Sequence, residues 1–166
     1  IMWTVLKFDK KALALLKEDL FLKLGKNYKI YIPKLRVQKY KNNKLINKEI
    51  NLLGDYLFCF HENLANKKIN ESLKFSRGLK CILKGFEASQ EDICRFVEKC
   101  KSSECENGFV SKDFFNLELN GKYRFSSGPF TDKIFQIINF HRNRIKILMG
   151  NIETTINRKK FLYIPV

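Results

Sequence analysis

The chain has 166 residues, 45% apolar and 30% charged, a balance that excludes a disordered polymer and is enough to bury a core in one domain or two small ones. Its 32 Lys and Arg against 17 Asp and Glu leave +15, which asks for a polyanionic partner, nucleic acid first and an anionic membrane second. The charge is uneven: residues 1–50 sum to +9, residues 51–108 to zero and residues 109–166 to +6.

Trp3–Phe8 is too short for a secretory signal core and lacks a small-residue cleavage site, and no apolar run approaches the roughly 20 residues that span a bilayer. Five cysteines, at 59, 81, 94, 100 and 105, form no CxxC pair and read as free thiols of a reducing cytoplasm. The gaps between Cys94, Cys100 and Cys105 suit no common zinc finger, so no metal or other cofactor is expected.

Trp3–Phe8 reads as a strand. Asp9 caps a helix on which Leu13, Leu16, Leu20 and Leu24 share one face, stopped by Gly25. Tyr28–Ile32 is a second strand, ended by Pro33. Residues 34–51 read as a long basic hairpin turning at Asn42-Asn43. Tyr56–Phe60, almost wholly apolar, predicts a buried central strand.

A polar helical stretch covers about 64–75, followed by the turn Ser76-Arg77-Gly78 and a short strand near Cys81–Leu83. Ser89-Gln-Glu-Asp92 opens a helix carrying Ile93, Phe96, Val97 and Cys100 on one face. Residues 101–108 are polar and read as a linker. Beyond them, Lys122–Phe125, Ile134–Ile138, Arg144–Leu148 and Phe161–Val166 predict four or five short strands in about fifty residues, the pattern of a small barrel. The reading is therefore an α+β domain followed by a tiny β-barrel.

No phosphate-cradling glycine loop, GxSxG elbow or HExxH occurs, and His61 and His141 could partner a cysteine only through tertiary chance. The expectation is a non-enzymatic protein that works through its surfaces.

The motifs, taken in series, add a resemblance. Trp3-Thr-Val-Leu opening a strand, then Ile32-Pro33, then Leu52-Leu-Gly-Asp-Tyr-Leu-Phe-Cys-Phe60 resembles the NusG-type N-terminal (NGN) domain. Lys74-Phe-Ser-Arg-Gly-Leu79 resembles the Arg-Gly turn of RfaH-like paralogues, and Gly121-Lys-Tyr-Arg-Phe-Ser-Ser-Gly-Pro-Phe130 resembles the opening of a KOW domain. The usual Phe-Pro is absent at Leu52-Leu53, and Thr131-Asp-Lys-Ile stands where a KOW glycine is expected, departures that favour a specialised paralogue. The resemblance implies an NGN-type antiparallel sheet flanked by helices over 1–106, a linker over 107–118 and an SH3-like KOW barrel over 119–166.

It also implies a transcription elongation or antitermination factor, acting as a monomer. The first domain would dock on the RNA polymerase clamp helices and bridge the DNA channel, through Trp3, Leu53 and Tyr56 with Pro33 at the rim. Arg77 would face the non-template strand, and Lys10 and Lys11 would begin the first helix beside it, where a helix N-terminus also favours phosphate. Lys34, Arg36 and Lys39 of the hairpin would point toward upstream DNA or polymerase. The barrel would recruit Rho or ribosomal protein S10, with Phe130, Phe140, Arg142 and Arg144 as contacts and Lys146 beside them. The alternative is a nucleic-acid-binding or ribosome-associated KOW protein independent of polymerase. Joint exposure of Trp3, Leu53 and Tyr56 favours docking, and their burial favours the alternative.

Overall fold

The computed structural model describes residues 2–111 and 114–166, so positions 112 and 113 of the expected 107–118 linker lie outside the described residues. The chain divides into two compact units: residues 1–34 with 51–102, and residues 35–50 with 103–166.

The first unit is built on an antiparallel sheet ordered β2-β5-β1-β6, from β1 (Met2–Phe8), β2 (Lys29–Tyr31), β5 (Tyr56–His61) and β6 (Leu79–Ile82). Strand side chains alternate between faces, and here both faces are covered. Leu6, Phe8, Leu57 and Cys59 pack with Leu16, Leu20 and Leu24 of α1 (Leu13–Leu24) and Leu73 of α2 (Lys67–Leu73). On the other face Phe58 packs with Phe86 and with Ile93 and Val97 of α3 (Gln90–Ser102), and Trp3, Val5, Tyr31 and Leu53 border that cluster. Double coverage explains why Tyr56–Phe60 lacks polar alternation.

Asp9 caps as expected, but its carboxylate accepts from Lys11 N at 2.9 Å to start a 3-10 turn over Lys10–Ala12, and α1 proper begins at Leu13. Gly25, at φ +82°, ends α1, and its N–H donates back to Phe21 O.

The second unit contains a five-stranded antiparallel sheet ordered β10-β9-β8-β7-β11, from β7 (Lys122–Phe125), β8 (Ile134–His141), β9 (Arg144–Met149), β10 (Ile152–Asn157) and β11 (Tyr163–Pro165). Ile156 of β10 and Tyr163 of β11 stand on opposite edge strands yet share one buried cluster with Phe125, Phe135, Ile137, Ile145 and Ile147. Strands lie about 4.8 Å apart, so a flat sheet would hold those edges far out of contact. The sheet is bent into a small SH3-like barrel, with a register irregularity between Ile137 and Asn139 in β8. The four named strands are present, and β10 is the fifth.

The basic hairpin is also present, as β3 (Lys34–Lys41) and β4 (Lys44–Asn51). Asn42 and Asn43 at φ +50° and +59° make its turn, the sign pattern that hairpins with two-residue loops favour. All of it except Lys34 and Asn51 groups with the second unit. Gln38 N donates to Ser126 O at 2.6 Å, and Gln38 Oε1 accepts from Gly128 N at 2.9 Å. The stretch read as linker is likewise packed where it is described: Glu104 bridges Val110, and Phe109, Val110 and Phe114 are buried.

Candidate polymerase and nucleic-acid interfaces

Alternation along β1 and β5 places Trp3, Val5, Lys7, Tyr56, Phe58 and Phe60 on the α3 side of the first sheet. Trp3 lies opposite Phe60, with ring centroids 5.0 Å apart, and meets Phe58 edge-on at 6.4 Å. Lys7 lies opposite Tyr56, its Nζ 5.4 Å from the ring centroid. Trp3, Leu53 and Tyr56 are all half-buried: neither a fully exposed patch nor core. Pro33, expected at the rim, is buried, and its carbonyl accepts from Leu52 N at 2.8 Å.

Two neighbours that sequence reasoning missed hold Trp3 in place. Gln90 Oε1 accepts from Trp3 N at 2.9 Å, while its Nε2 donates to Trp3 O at 2.7 Å and Phe86 O at 2.6 Å. Lys101 Nζ lies 5.6 Å from the Trp3 ring centroid and 5.3 Å from that of Tyr31. Gln90 was readable only as part of a helix start, since its partner is 87 residues away.

Lys10, Lys11 and Arg77 do come together. Asp9 N donates to Gly78 O at 2.8 Å, which fastens the Lys10–Ala12 turn to the Ser76-Arg77-Gly78 turn. Arg77, however, is not a free reader. Its backbone N–H donates to Asp19 Oδ2 at 2.7 Å, and its Nε and Nη2 donate to Asp19 Oδ1 at 3.0 and 2.7 Å. Nη2 also reaches Glu18 Oε2 at 3.4 Å. The Arg77 side chain, and after it the Arg77 backbone N–H, hold the Asp19 carboxyl below the ordinary aspartate value. The helix N-terminus expected beside Lys10 and Lys11 already has an anion, because Asp9 takes the Lys11 N–H.

Lys34 is exposed in the first unit, whereas Arg36 and Lys39 are exposed in the second. The Arg36 guanidinium stacks 4.4 Å from the Phe109 ring centroid. Of the barrel contacts, Phe130 is half-buried against Phe125 and Phe161, at centroid distances of 5.6 and 6.0 Å, so its ring serves the core. Phe140, Arg142 and Arg144 are exposed. Lys146 pairs with Glu153 at 2.7 Å. Gly128 of the Gly-Pro-Phe motif has φ +79°, and a Cβ there would lie 2.8 Å from the Phe161 ring.

Among the described residues no group of three or more His, Cys, Asp or Glu is placed to hold a metal, and no helix is long and apolar enough to cross a membrane. His61 is buried, and its Nδ1 accepts from Asn63 N at 3.1 Å to cap a 3-10 turn.

No family model matches the sequence, and no curated protein matches it. Among solved structures the chain is similar to one from the MjSpt4:Spt5 complex, at 12% identity and a TM-score of 0.32, covering 99% of this chain and 98% of that one. It is also similar to Thermotoga maritima NusG, from a study of domain interaction in that protein, at 16% identity and a TM-score of 0.36, covering 94% and 92%.

Proposed function

We propose that this chain is a NusG/RfaH-type transcription elongation factor. It docks on RNA polymerase through the first unit and suppresses pausing or termination, while the barrel recruits a further partner such as Rho or ribosomal protein S10. The reading includes no catalytic step and no cofactor. One observation carries it: Trp3, Leu53 and Tyr56 lie half-buried on the α3 side of the sheet, bordering the cluster centred on Phe58. Part of each side chain is packed by its own fold while part stays open to a partner, and Trp and Tyr are among the residue types that most often anchor an interface. The ordered series of motifs over nearly the whole chain supports the same reading. Cytoplasmic action follows from it, as does the placement of Lys10, Lys11 and Arg77 beside non-template or upstream DNA.

The test is reconstitution with the cognate elongating polymerase. The wild type should co-migrate with the elongation complex and shorten pauses, and the double substitution Leu53→Ser with Tyr56→Ser should abolish both while binding free oligonucleotides unchanged. A wild type that binds free RNA or DNA but never the polymerase overturns the reading in favour of a polymerase-independent nucleic-acid-binding protein.

A further inference from the structure

At one end of the first sheet, the loop after α1, the start of β2 and the end of β5 border a cavity of about 400 Å³. Gly25 turns the chain out of α1 at φ +82°, and Tyr28 Oη donates to Lys17 O at 3.0 Å, which fixes the loop carrying Lys26 and Asn27. The β2–β5 register sets Lys29 opposite Phe60, with Lys29 Nζ 5.8 Å from the ring centroid. His61, the next residue of β5, faces the α1 side, opposite to Trp3 and Tyr56. It is only 4% exposed, and its ring is fixed in one tautomer. Nδ1 accepts from Asn63 N at 3.1 Å, so in the neutral ring the proton sits on Nε2. Nε2 has no partner among the described residues, where the buried side-chain polar atoms lacking one are Thr4 Oγ1 and Asn70 Oδ1. It is therefore not sealed off, and it is left to donate into the cavity that His61 lines. Lys26 and Lys29 stand exposed on the same lining, and among the described residues neither has a carboxylate within salt-bridge distance. Glu62 shares the lining and is likewise without an ion pair there.

A fixed N–H donor and two ammonium groups supply three donor groups and two positive charges. That set matches a phosphate monoester, which presents three acceptor oxygens and a charge of roughly −1.5 to −2 at pH 7. A carboxylate offers only two oxygens and one charge. The backbone of a nucleic acid is a poorer match as well, since each phosphodiester carries one charge. Glu62 and the Asn27 amide can accept from hydroxyls on the molecule that bears the phosphate. The volume lies within the range of roughly 300–1,000 Å³ usual for small-molecule sites. We infer that this cavity binds a small phosphate dianion, free or as the monoester of a hydroxylated metabolite, through His61 Nε2, Lys26 and Lys29. The inference goes beyond the proposed function and does not depend on polymerase binding.

The test titrates the full chain with glucose 6-phosphate, inorganic phosphate, glucose 6-sulfate and glucose, followed by amide and imidazole NMR spectra. The free chain should show His61 protonated on Nε2. Glucose 6-phosphate should shift the His61 ring and the amides of residues 26–29 and 60–62 along saturable curves. Glucose 6-sulfate, of the same shape but with one charge, should bind about tenfold more weakly, and glucose should not bind. His61→Asn keeps an acceptor for Asn63 N, because Asn is a favoured N-cap, but it removes the Nε2 donor. It should weaken glucose 6-phosphate about tenfold. The double substitution Lys26→Gln with Lys29→Gln changes only exposed side chains, so folding is kept. It should weaken binding at least as much and flatten its salt dependence. Tighter binding of glucose 6-phosphate than of inorganic phosphate identifies an ester as the ligand, and the reverse order identifies the free ion; both support the inference. Shifts that never saturate, sulfate and phosphate esters bound alike, or binding unchanged in both variants overturns it. None of these results bears on the polymerase test.

Discussion

Asp19 of α1 takes three hydrogen bonds from Arg77, from the backbone N–H at 2.7 Å and from Nε and Nη2 at 3.0 and 2.7 Å. The turn before β6 is thereby tied to the first helix. Lys23 adds to the tie, its Nζ donating to Ser72 O at 2.7 Å and to Ser76 Oγ at 3.0 Å. Asp19→Asn should lower the melting temperature at pH 7, because a neutral amide cannot accept as strongly from the guanidinium. The sign with pH follows from the depressed carboxyl. Its stabilisation is fully present above the unfolded aspartate value of about 3.9, and it is lost as pH falls through the lower folded value. The gap between wild type and Asp19→Asn, measured by thermal unfolding, should therefore be constant from pH 7 to about pH 5 and close below pH 4. A gap that persists at pH 2 would show that Asp19 acts through packing instead.

Gly78 makes a second prediction at the same turn. It sits at φ +76°, and a Cβ there would lie 2.7 Å from Ala12 O and 2.9 Å from Ala12 Cβ. Gly78→Ala should cost about 2 kcal/mol or more, the left-handed penalty of about 1–2 kcal/mol plus the displacement of backbone. Gly150→Ala is the control: it shares the left-handed geometry at φ +62° but meets nothing within 4 Å, so only the backbone penalty should remain. Urea midpoints of the two variants separate the contributions, and equal losses would refute the close approach.

Local and long-range determinants divide what could be read from the sequence. The Asn42-Asn43 turn, the stop at Gly25 and the buried strand Tyr56–His61 rest on signals within a few residues, and each is where the sequence places it. Strand β10 escaped because only Ile156 in Ile152–Asn157 is buried, so its pattern lacks alternation and includes a Glu and an Asn. The hairpin's place in the second unit depends on Gln38 meeting Gly128, 90 residues away, and nothing in its own sequence announces that. The same holds for the site. Arg77 and Gly78 stand out as a motif, but the acid that occupies the arginine is 58 residues upstream on a helix where it looks like an ordinary surface charge.

Phe125 should be the costliest single truncation in the barrel. It is fully buried and meets Phe135 at 4.3 Å, Phe130 at 5.6 Å and Phe161 at 5.7 Å between ring centroids. Phe125→Ala removes the ring that these three pack against and should destabilise the second unit by about 3–5 kcal/mol. Two-dimensional amide spectra of the full chain should lose dispersion for residues of β7–β11 while β1 and β5 resonances stay in place. Simultaneous loss of both sets would show that the units fold as one cooperative body.

The cysteines should separate by thiolate access. Burial pushes the Cys59 thiol up to about 12, and Cys100 is also buried, so neither should react before unfolding. Cys81 and Cys105 are exposed. Backbone N–H groups of Asn107 and then Phe109 favour the Cys105 thiolate and bring its pKa below the ordinary thiol value. At pH 7.5, iodoacetamide followed by peptide mass mapping should therefore label Cys105 first, Cys81 next and half-buried Cys94 more slowly, with Cys59 and Cys100 protected until denaturant is added. Lowering the pH to 6 should slow labelling at Cys105, since the thiolate is the reactive form. Labelling of Cys59 in the native chain at a rate near that of Cys81 would contradict its place beneath α1.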